Sequence, residues 1–350
     1  MLKPLVIGDL VAKVPIIQGG MGVGISLSSL AGAVAKEGGI GVISTAQIGF
    51  LEEDFRSNTL EANMHAIRKH ILKARELAPS GILGVNIMVA TRNYARYVKE
   101  AVDAGIDIII SGAGLPLELP KLVKGSKTKI IPIISSLRAA KLILRMWFEK
   151  DHVLPDAVII EGPLAGGHLG FKAEELEHID SREYDIEIKS MISYIDEFAL
   201  THGGEIPVIT AGGIDCKETF LHQFELGASG VQIATKFVTT NECDAHENFK
   251  NAYLKAREED IVIVKSPVGM PGRAIKNSFV KKVQEERIPP VKCSGCIISC
   301  KPENTQYCIT DALINAATGD MDNALIFCGA KTYLENEIRS VKEVIEEFIL

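Results

Sequence analysis

The chain has 350 residues, of which 47% are hydrophobic and 24% are charged, and its formal net charge at pH 7 is −7. This balance predicts a globular protein with one large core, and the acidic charge argues against a general nucleic-acid-binding protein, which needs a basic face. No apolar segment reaches the roughly 18 residues of a membrane span, and the amino terminus lacks the features of a signal peptide. Without an export signal, the seven cysteines predict reduced thiols in a cytoplasmic protein.

Eight short runs rich in valine and isoleucine recur along residues 1–240. Continuous runs of this kind, without alternation, are typical of strands that are covered on both faces, as in a parallel sheet. The predicted strands are 14–18, 40–44, 82–86, 106–111, 130–135, 157–161, 206–211 and 230–234.

Segments with helical patterning separate these strands. The predicted helices are 28–37, 58–77, 92–104, 117–123, 136–148, 182–200 and 216–226. Regular alternation of strand and helix predicts a (β/α)8 TIM barrel over residues 1–240. A doubly wound open sheet is the alternative, but the glycine-rich stretch 19–24 lacks the spacing of a dinucleotide-binding motif.

Residues 241–350 predict a C-terminal helical extension packed on the barrel. It comprises a polar helix at 242–257, a less regular part at 258–290, the Cys-rich segment 293–308, and helical runs at 310–317, 321–327 and 332–348. Four thiols can hold zinc or an iron–sulfur cluster, although this spacing matches neither a zinc ribbon nor a ferredoxin. Buried thiols or redox pairs are the alternative. The candidate metal ligands are Cys293, Cys296, Cys300 and Cys308.

Several predicted strands end on glycines or amides, at the barrel end where active sites form. The turn after the seventh strand, Ala211-Gly212-Gly213, exposes backbone N–H groups just before a helix, an arrangement that binds phosphate. Asn86 and Gln232 offer amide groups to a heteroaromatic ring. The alternative for the glycines is that they only form a tight turn between strand and helix. The alternative for Asn86 and Gln232 is that their amides only cap a loop.

One histidine lies in a glycine-lined turn after the sixth predicted strand. The stretch EGPLAGGHLGF, residues 161–171, contains His168. Because an ordinary imidazole pKa of about 6.5 makes both protonation states accessible near neutrality, His168 is a candidate general acid or base. The charged insert that follows, residues 171–184, is predicted to act as a lid or to contact a partner subunit.

Taken together, these motifs resemble the nitronate monooxygenases, formerly called 2-nitropropane dioxygenases, and the related flavin-dependent enoyl-acyl-carrier-protein reductases. The resemblance covers residues 13 to about 280. It rests on the ordered motifs at 15–21, 84–88, 112–114, 161–170, 206–214 and 227–237, and on the segment 272–277.

The resemblance implies FMN as the cofactor and His168 as the catalytic base or acid. The family usually has Gly-Thr-Arg after the eighth strand, where this chain has Ala234-Thr235-Lys236. Lysine lacks the planar fork of arginine, so a bidentate phosphate contact is in doubt. The implied cofactor-binding residues are Gly19, Gly20, Met21, Asn86, Glu161, Gly166, Gly167, Ala211, Gly212, Gly213, Gln232, Ala234 and Thr235.

The resemblance implies two enzymatic functions, and the residue patterns leave a third open. The favoured one is FMN-dependent oxidation of nitronates or nitroalkanes with O2. The first alternative is an enoyl-thioester reductase that takes electrons from NAD(P)H. The second is a flavin-free, phosphate-binding isomerase or synthase in which Glu161 and His168 form an acid–base pair; a non-enzymatic binding role is also open. The expected partners are a small-molecule substrate and a second copy of the chain in a homodimer, with no nucleic acid and no membrane.

Overall fold

Eight parallel strands close into a barrel in the computed structural model, which describes residues 2–176, 178 and 181–350. The barrel confirms the predicted fold, and each predicted strand is present with bounds shifted by a few residues. The strands are β1 (Leu5–Ile7), β2 (Leu10–Ala12), β3 (Ile16–Gln18), β4 (Ile40–Ser44), β5 (Ile82–Asn86), β6 (Ile108–Ser111), β7 (Lys129–Ile134), β8 (Val158–Glu161), β9 (Gly167–His168), β10 (Val208–Ala211), β11 (Gly230–Ile233), β12 (Ile261–Lys265) and β13 (Pro271–Ile275).

The barrel runs in the order β3-β4-β5-β6-β7-β8-β10-β11, and β11 pairs back to β3. Helices follow its strands, including the short α4 at the predicted 117–123. The helices are α1 (Ser28–Lys36), α2 (Thr59–Leu77), α3 (Tyr94–Asp103), α4 (Leu119–Leu122), α5 (Leu137–Asp151), α6 (Ala173–Leu176), α7 (Ser181–Thr201), α8 (Lys217–Glu225), α9 (Thr235–Val238), α10 (Glu247–Lys255), α11 (Ser278–Glu285), α12 (Ile309–Thr318) and α13 (Val341–Ile349).

Both faces of the barrel strands are buried, which explains their unbroken apolar sequence. On β6, Ile108 and Ile110 pack in the cluster inside the barrel, whereas Ile109 packs against the surrounding helices. Successive side chains of a strand point to opposite faces, so a strand buried on both sides needs an apolar residue at each position.

A short N-terminal hairpin lies at the amino ends of the barrel strands. Its strands β1 and β2 pair antiparallel, and Leu5 and Ile7 are both only 1% exposed within the interior cluster of the barrel. Asp9 in the turn forms an ion pair with Lys129 at the start of β7, with 2.7 Å between carboxylate and ammonium. Sequence analysis did not predict this hairpin, because its strands are too short to stand out as a pattern.

The C-terminal extension differs from its prediction in two places. Residues 258–290, predicted to be less regular, contain the antiparallel hairpin β12–β13, and β13 also pairs with β9. The helical prediction for 321–327 is wrong: after a short 3-10 turn, the chain runs extended beside β13, and the N–H of Ile275 donates to the carbonyl of Ile326 at 2.9 Å. Backbone pairing with a strand requires an extended chain, which overrides the local helical pattern.

The last helix begins later than predicted. The predicted run 332–348 contains a 3-10 turn at Thr332–Leu334, and α13 starts at Val341 because Ser340 and Glu343 form a capping box. One face of α13 packs on the barrel through residues such as Phe348, which contacts Phe220 with 5.4 Å between ring centroids.

The charged insert at 171–184 contains α6 and the beginning of α7, and its residues 177, 179 and 180 lie outside the described residues.

Within the part of the chain that the structure describes, none of the helices combines the length and apolar character needed to cross a bilayer.

Truncation of Leu5 tests whether the N-terminal hairpin is part of the barrel core. We expect Leu5→Ala to lower the free energy of unfolding by about 2–4 kcal/mol, because it leaves a cavity in a fully packed cluster. Val6→Ala is the matched control, since Val6 lies on the same strand but is 50% exposed, and it should cost less than about 1 kcal/mol. Equal losses for the two variants, measured by denaturant unfolding, would contradict this assignment.

Candidate active site

A cavity of about 240 Å³ opens at the carboxyl ends of the barrel strands. All fourteen residues predicted to bind cofactor or to act in catalysis line it. They are Gly19, Gly20, Met21, Asn86, Glu161, Gly166, Gly167, His168, Ala211, Gly212, Gly213, Gln232, Ala234 and Thr235.

The turn after β10 comes close to the loop after β8. Gly212 has a φ of +99°, and a β-carbon added there would lie 3.0 Å from the amide nitrogen of Ala165 and 3.1 Å from the carbonyl oxygen of Gly162. Glycine is therefore required at 212 both by the left-handed backbone and by the contact. The result is a wall of backbone with little side-chain bulk, beside Thr235 at the start of α9.

A polar atom at the barrel end of the cavity lacks a partner within the described part of the chain. The Oε1 atom of Gln232, a residue that lines the cavity, is buried and accepts no hydrogen bond there. Because a buried polar group without a partner costs free energy, this atom indicates a ligand with a complementary donor.

Glu161 lies at the end of β8 and faces the cavity. Burial raises the pKa of its carboxyl from 4.5 to about 8, since a charge is poorly solvated at that depth. The hydroxyl of Tyr184 donates to the backbone carbonyl of Glu161 at 3.1 Å. Tyr184 thus fixes the end of β8 without neutralising the carboxyl group.

His168 is held by the C-terminal extension. It lies on β9, opposite Gly272 of β13, and its Nε2 atom is 2.7 Å from the hydroxyl oxygen of Ser266. The ring of Phe327 meets the imidazole edge-on, with 4.9 Å between centroids. Burial in these surroundings lowers the pKa of His168 from 6.5 to about 4, so the imidazole is neutral at pH 7.

The loop between β8 and β9 is tied to the extension along its length. The buried guanidinium of Arg273 donates to the carbonyl oxygens of Pro163, at 2.8 Å, and of Ala165. The N–H of Ala330 donates to the carbonyl of Leu164 at 3.1 Å. The position of His168 therefore depends on a chain segment about 100 residues away, and Arg273 is a site-forming residue that the prediction omitted, although its segment was part of the resemblance.

Much of the remaining cavity wall comes from the extension. Sequence analysis did not assign these residues to the site, because no local motif connects them with the strand ends. They are Phe249, Tyr253, Leu313, Ala316, Leu325, Phe327, Cys328 and Gly329.

Lys236 is directed toward the C-terminal segment. Its ammonium lies 3.7 Å from a carboxylate oxygen of Glu335 and 3.4 Å from one of Glu347, and it does not line the cavity. The lysine that replaces the usual arginine thus forms ion pairs with carboxylates of the extension.

The four cysteines proposed as metal ligands lie between 293 and 308 and form no disulfide. In residues 2–176, 178 and 181–350, no three His, Cys, Asp or Glu side chains converge in a metal-binding arrangement. Burial raises the pKa of Cys308 to about 12 and also raises the pKa of Cys296, so these two thiols are protonated at neutral pH in the metal-free chain. Metal binding by these cysteines stays a prediction that the geometry does not support.

The chain is similar to one family of known proteins along nearly its whole length. A family model described as Nitronate monooxygenase matches residues 3–350. The probable nitronate monooxygenase of Staphylococcus aureus (strain Newman) is 25% identical over 358 residues, covering 95% of each chain. That of Staphylococcus haemolyticus is 28% identical over 303 residues, covering 79% of each.

Solved structures with the same fold include two of interest. FabK from Thermotoga maritima superposes with a TM-score of 0.73 at 26% identity, covering 97% of this chain and 93% of FabK. The nitroalkane oxidase from Streptomyces ansochromogenes has a TM-score of 0.68 at 19% identity, covering 96% and 94%, and at that identity the likeness concerns the fold.

Replacement of Glu161 by glutamine tests the burial of its carboxyl group. A folded-state pKa of about 8 means that this group favours folding below its unfolded pKa near 4.5, and that this stability is lost as the pH rises through 8. Between pH 5 and pH 9, we expect the ligand-free wild type to lose about 2–4 kcal/mol of unfolding free energy relative to Glu161→Gln. Glu53→Gln, at an exposed position, is the control and should track the wild type at both pH values. An unchanged difference between wild type and Glu161→Gln would show that the carboxyl is well solvated.

Proposed function

Since this chain belongs to the nitronate monooxygenase family and is a flavin-dependent oxidoreductase of that type, we propose that it uses FMN to oxidise nitronates or nitroalkanes with O2. The observation that carries the proposal is the convergence of the implied FMN residues and His168 on one cavity. Family membership disfavours the flavin-free isomerase or synthase.

The residues of the cavity fit FMN. The backbone turn at Gly212 and Gly213, with the hydroxyl of Thr235, suits a phosphate group. The unpartnered Oε1 atom of Gln232 suits a donor such as a ring N–H or a ribityl hydroxyl, and Asn86 adds both a donor and an acceptor. Since Lys236 is paired with Glu335 and Glu347, phosphate binding here would rely on backbone N–H groups.

FMN, when bound, supplies electron transfer between the organic substrate and O2. The chain's own residues shield the cavity from water and offer a polar group to the substrate. Phe327, Leu325 and Leu313 of the extension cover the mouth of the barrel, which limits access of water and strengthens electrostatic interactions within the cavity. His168 lies on the same wall, where its imidazole can meet a polar group of a small substrate.

A second candidate function is the NAD(P)H-dependent reduction of enoyl thioesters. It is favoured by the similarity to FabK, which extends over 97% of this chain. FabK is an enoyl-acyl-carrier-protein reductase. In this case, the nicotinamide would dock in the open part of the cavity.

The predicted homodimer stays a prediction.

Anaerobic mixing separates the two functions. We expect a nitronate, and neither NADH nor NADPH, to bleach the flavin absorbance at a rate comparable with turnover. The His168→Ala variant should retain the flavin and turn over about 10²–10⁴-fold more slowly, the range typical for loss of a group that acts on the substrate's proton or charge. Rapid bleaching by a nicotinamide alone would favour the reductase, and absence of bleaching by either class would overturn both proposals.

Gly212→Ala tests the phosphate turn. The added β-carbon would crowd Ala165 and Gly162, so the turn must move, and we expect the Kd for FMN to rise at least about tenfold. Gly105→Ala is the matched control because Gly105 also has a positive φ, +79°, but a β-carbon there meets no atom within 4 Å. Both variants should lose stability from backbone strain, whereas only Gly212→Ala should bind FMN weakly in a fluorescence titration. Equal FMN affinity in the two variants would contradict a phosphate site at Gly212.

A further inference from the structure

Ser266, in the C-terminal extension, makes a hydrogen bond to His168. Its hydroxyl oxygen lies 2.7 Å from Nε2, and the two residues are 98 positions apart in the chain. Ser266 is only 3% exposed and lies in the turn between β12 and β13, a few residues before the part of β13 that pairs with β9. This contact therefore belongs to a buried part of the site.

The direction of the bond follows from the other partner of the hydroxyl. The N–H of Val268 donates to the same oxygen at 3.2 Å, and the N–H of Ser266 donates to the carbonyl of Met270. Within residues 2–176, 178 and 181–350, the hydroxyl proton has Nε2 of His168 as its hydrogen-bond partner. If Nε2 instead carried the proton and donated it, the serine O–H would be buried without an acceptor, which is costly.

The second ring nitrogen is the free one. In the described part of the chain, Nδ1 of His168 has no hydrogen-bond partner, and the residue lines the cavity. The imidazole cannot turn easily, because its backbone is paired with Gly272 and its ring packs on Phe327. A neutral imidazole whose Nε2 accepts a hydrogen bond carries its proton on Nδ1.

We propose that Ser266 is a positioning residue that holds His168 in the tautomer protonated on Nδ1, so that His168 offers a hydrogen-bond donor, and no base, to a negatively charged oxygen of the substrate. A nitronate carries such oxygens, whereas a neutral nitroalkane requires removal of a proton from carbon. A buried N–H donor stabilises an anionic oxygen strongly. The tautomer rests on the geometry alone; the preference for the nitronate anion rests on the proposed function.

The tautomer can be measured directly by long-range ¹H–¹⁵N NMR on the FMN-loaded, full-length protein labelled with ¹⁵N-histidine. The resonances of His168 are those missing from the His168→Gln spectrum. We expect an unprotonated Nε2 in the wild type and in Ser266→Thr, which keeps the hydroxyl, and a mixture of tautomers in Ser266→Ala. Ser299→Ala is the matched control, because its hydroxyl bonds to the carbonyl of Val268 in the same region and does not touch His168. It should give the wild-type spectrum.

A protonated Nε2 in the wild type would overturn the assignment, as would identical His168 spectra in wild type and Ser266→Ala. If Ser266→Ala does not fold, the wild-type and Ser266→Thr spectra still decide the tautomer.

Steady-state kinetics test the consequence for substrate choice. For a nitronate, we expect Ser266→Ala to lower kcat/KM roughly tenfold, the equivalent of one hydrogen bond, and Ser266→Thr to retain most of it. The ratio of nitronate to nitroalkane turnover should fall in Ser266→Ala, since the released ring can present an unprotonated Nδ1. A ratio equal to that of the wild type would overturn the role in substrate choice. If the wild type shows the Nδ1–H tautomer but turns over no nitronate, the proposed function fails and only the tautomer assignment stands.

Discussion

The pairing of β13 with β9 is the contact on which the site depends. It joins the loop after β8 to the C-terminal extension and places His168 opposite Gly272. Arg273, on the same strand, is only 7% exposed and donates to carbonyl oxygens of the loop. Without this pairing, a loop rich in glycine would have many conformations, since each glycine adds backbone freedom. The extension thus supplies the order that the loop sequence lacks.

Covering the barrel mouth also sets the electrostatics of the site. The same burial raises the pKa of Glu161 to about 8 and lowers the pKa of His168 to about 4, so both groups are largely uncharged at neutral pH. Two neutral groups at the cavity wall are suited to hydrogen bonding with a ligand. The imidazole of His168 is poorly suited to take up protons at pH 7, because general acid–base catalysis is most efficient when the pKa lies near the working pH, and its pKa lies near 4.

The barrel and its strand-end residues could be predicted from the sequence because each depends on local information. A strand buried on both faces, such as β6, shows as an unbroken apolar run, and a residue such as Asn86 is placed by the end of its own strand. The extended conformation of residues 324–328 could not be predicted in this way. That segment is extended because it pairs with β13, a partner distant in the sequence. Likewise, no pattern around Ser266 shows that it touches His168.

Lys236 has a structural role in this chain, because it pairs with carboxylates of the C-terminal segment. Its ammonium is held between Glu335 and Glu347, where burial raises the pKa of Glu335 and the ammonium opposes that rise. Replacing Lys236 by a neutral residue would remove the ammonium from beside the buried Glu335, and an uncompensated buried charge costs free energy. Lys236 therefore anchors the C-terminal segment to the start of α9, close to Thr235. On the proposed function, a phosphate at the glycine turn after β10 would be held by backbone N–H groups and the hydroxyl of Thr235, and its binding would depend more on the geometry of that turn than on the residue at 236.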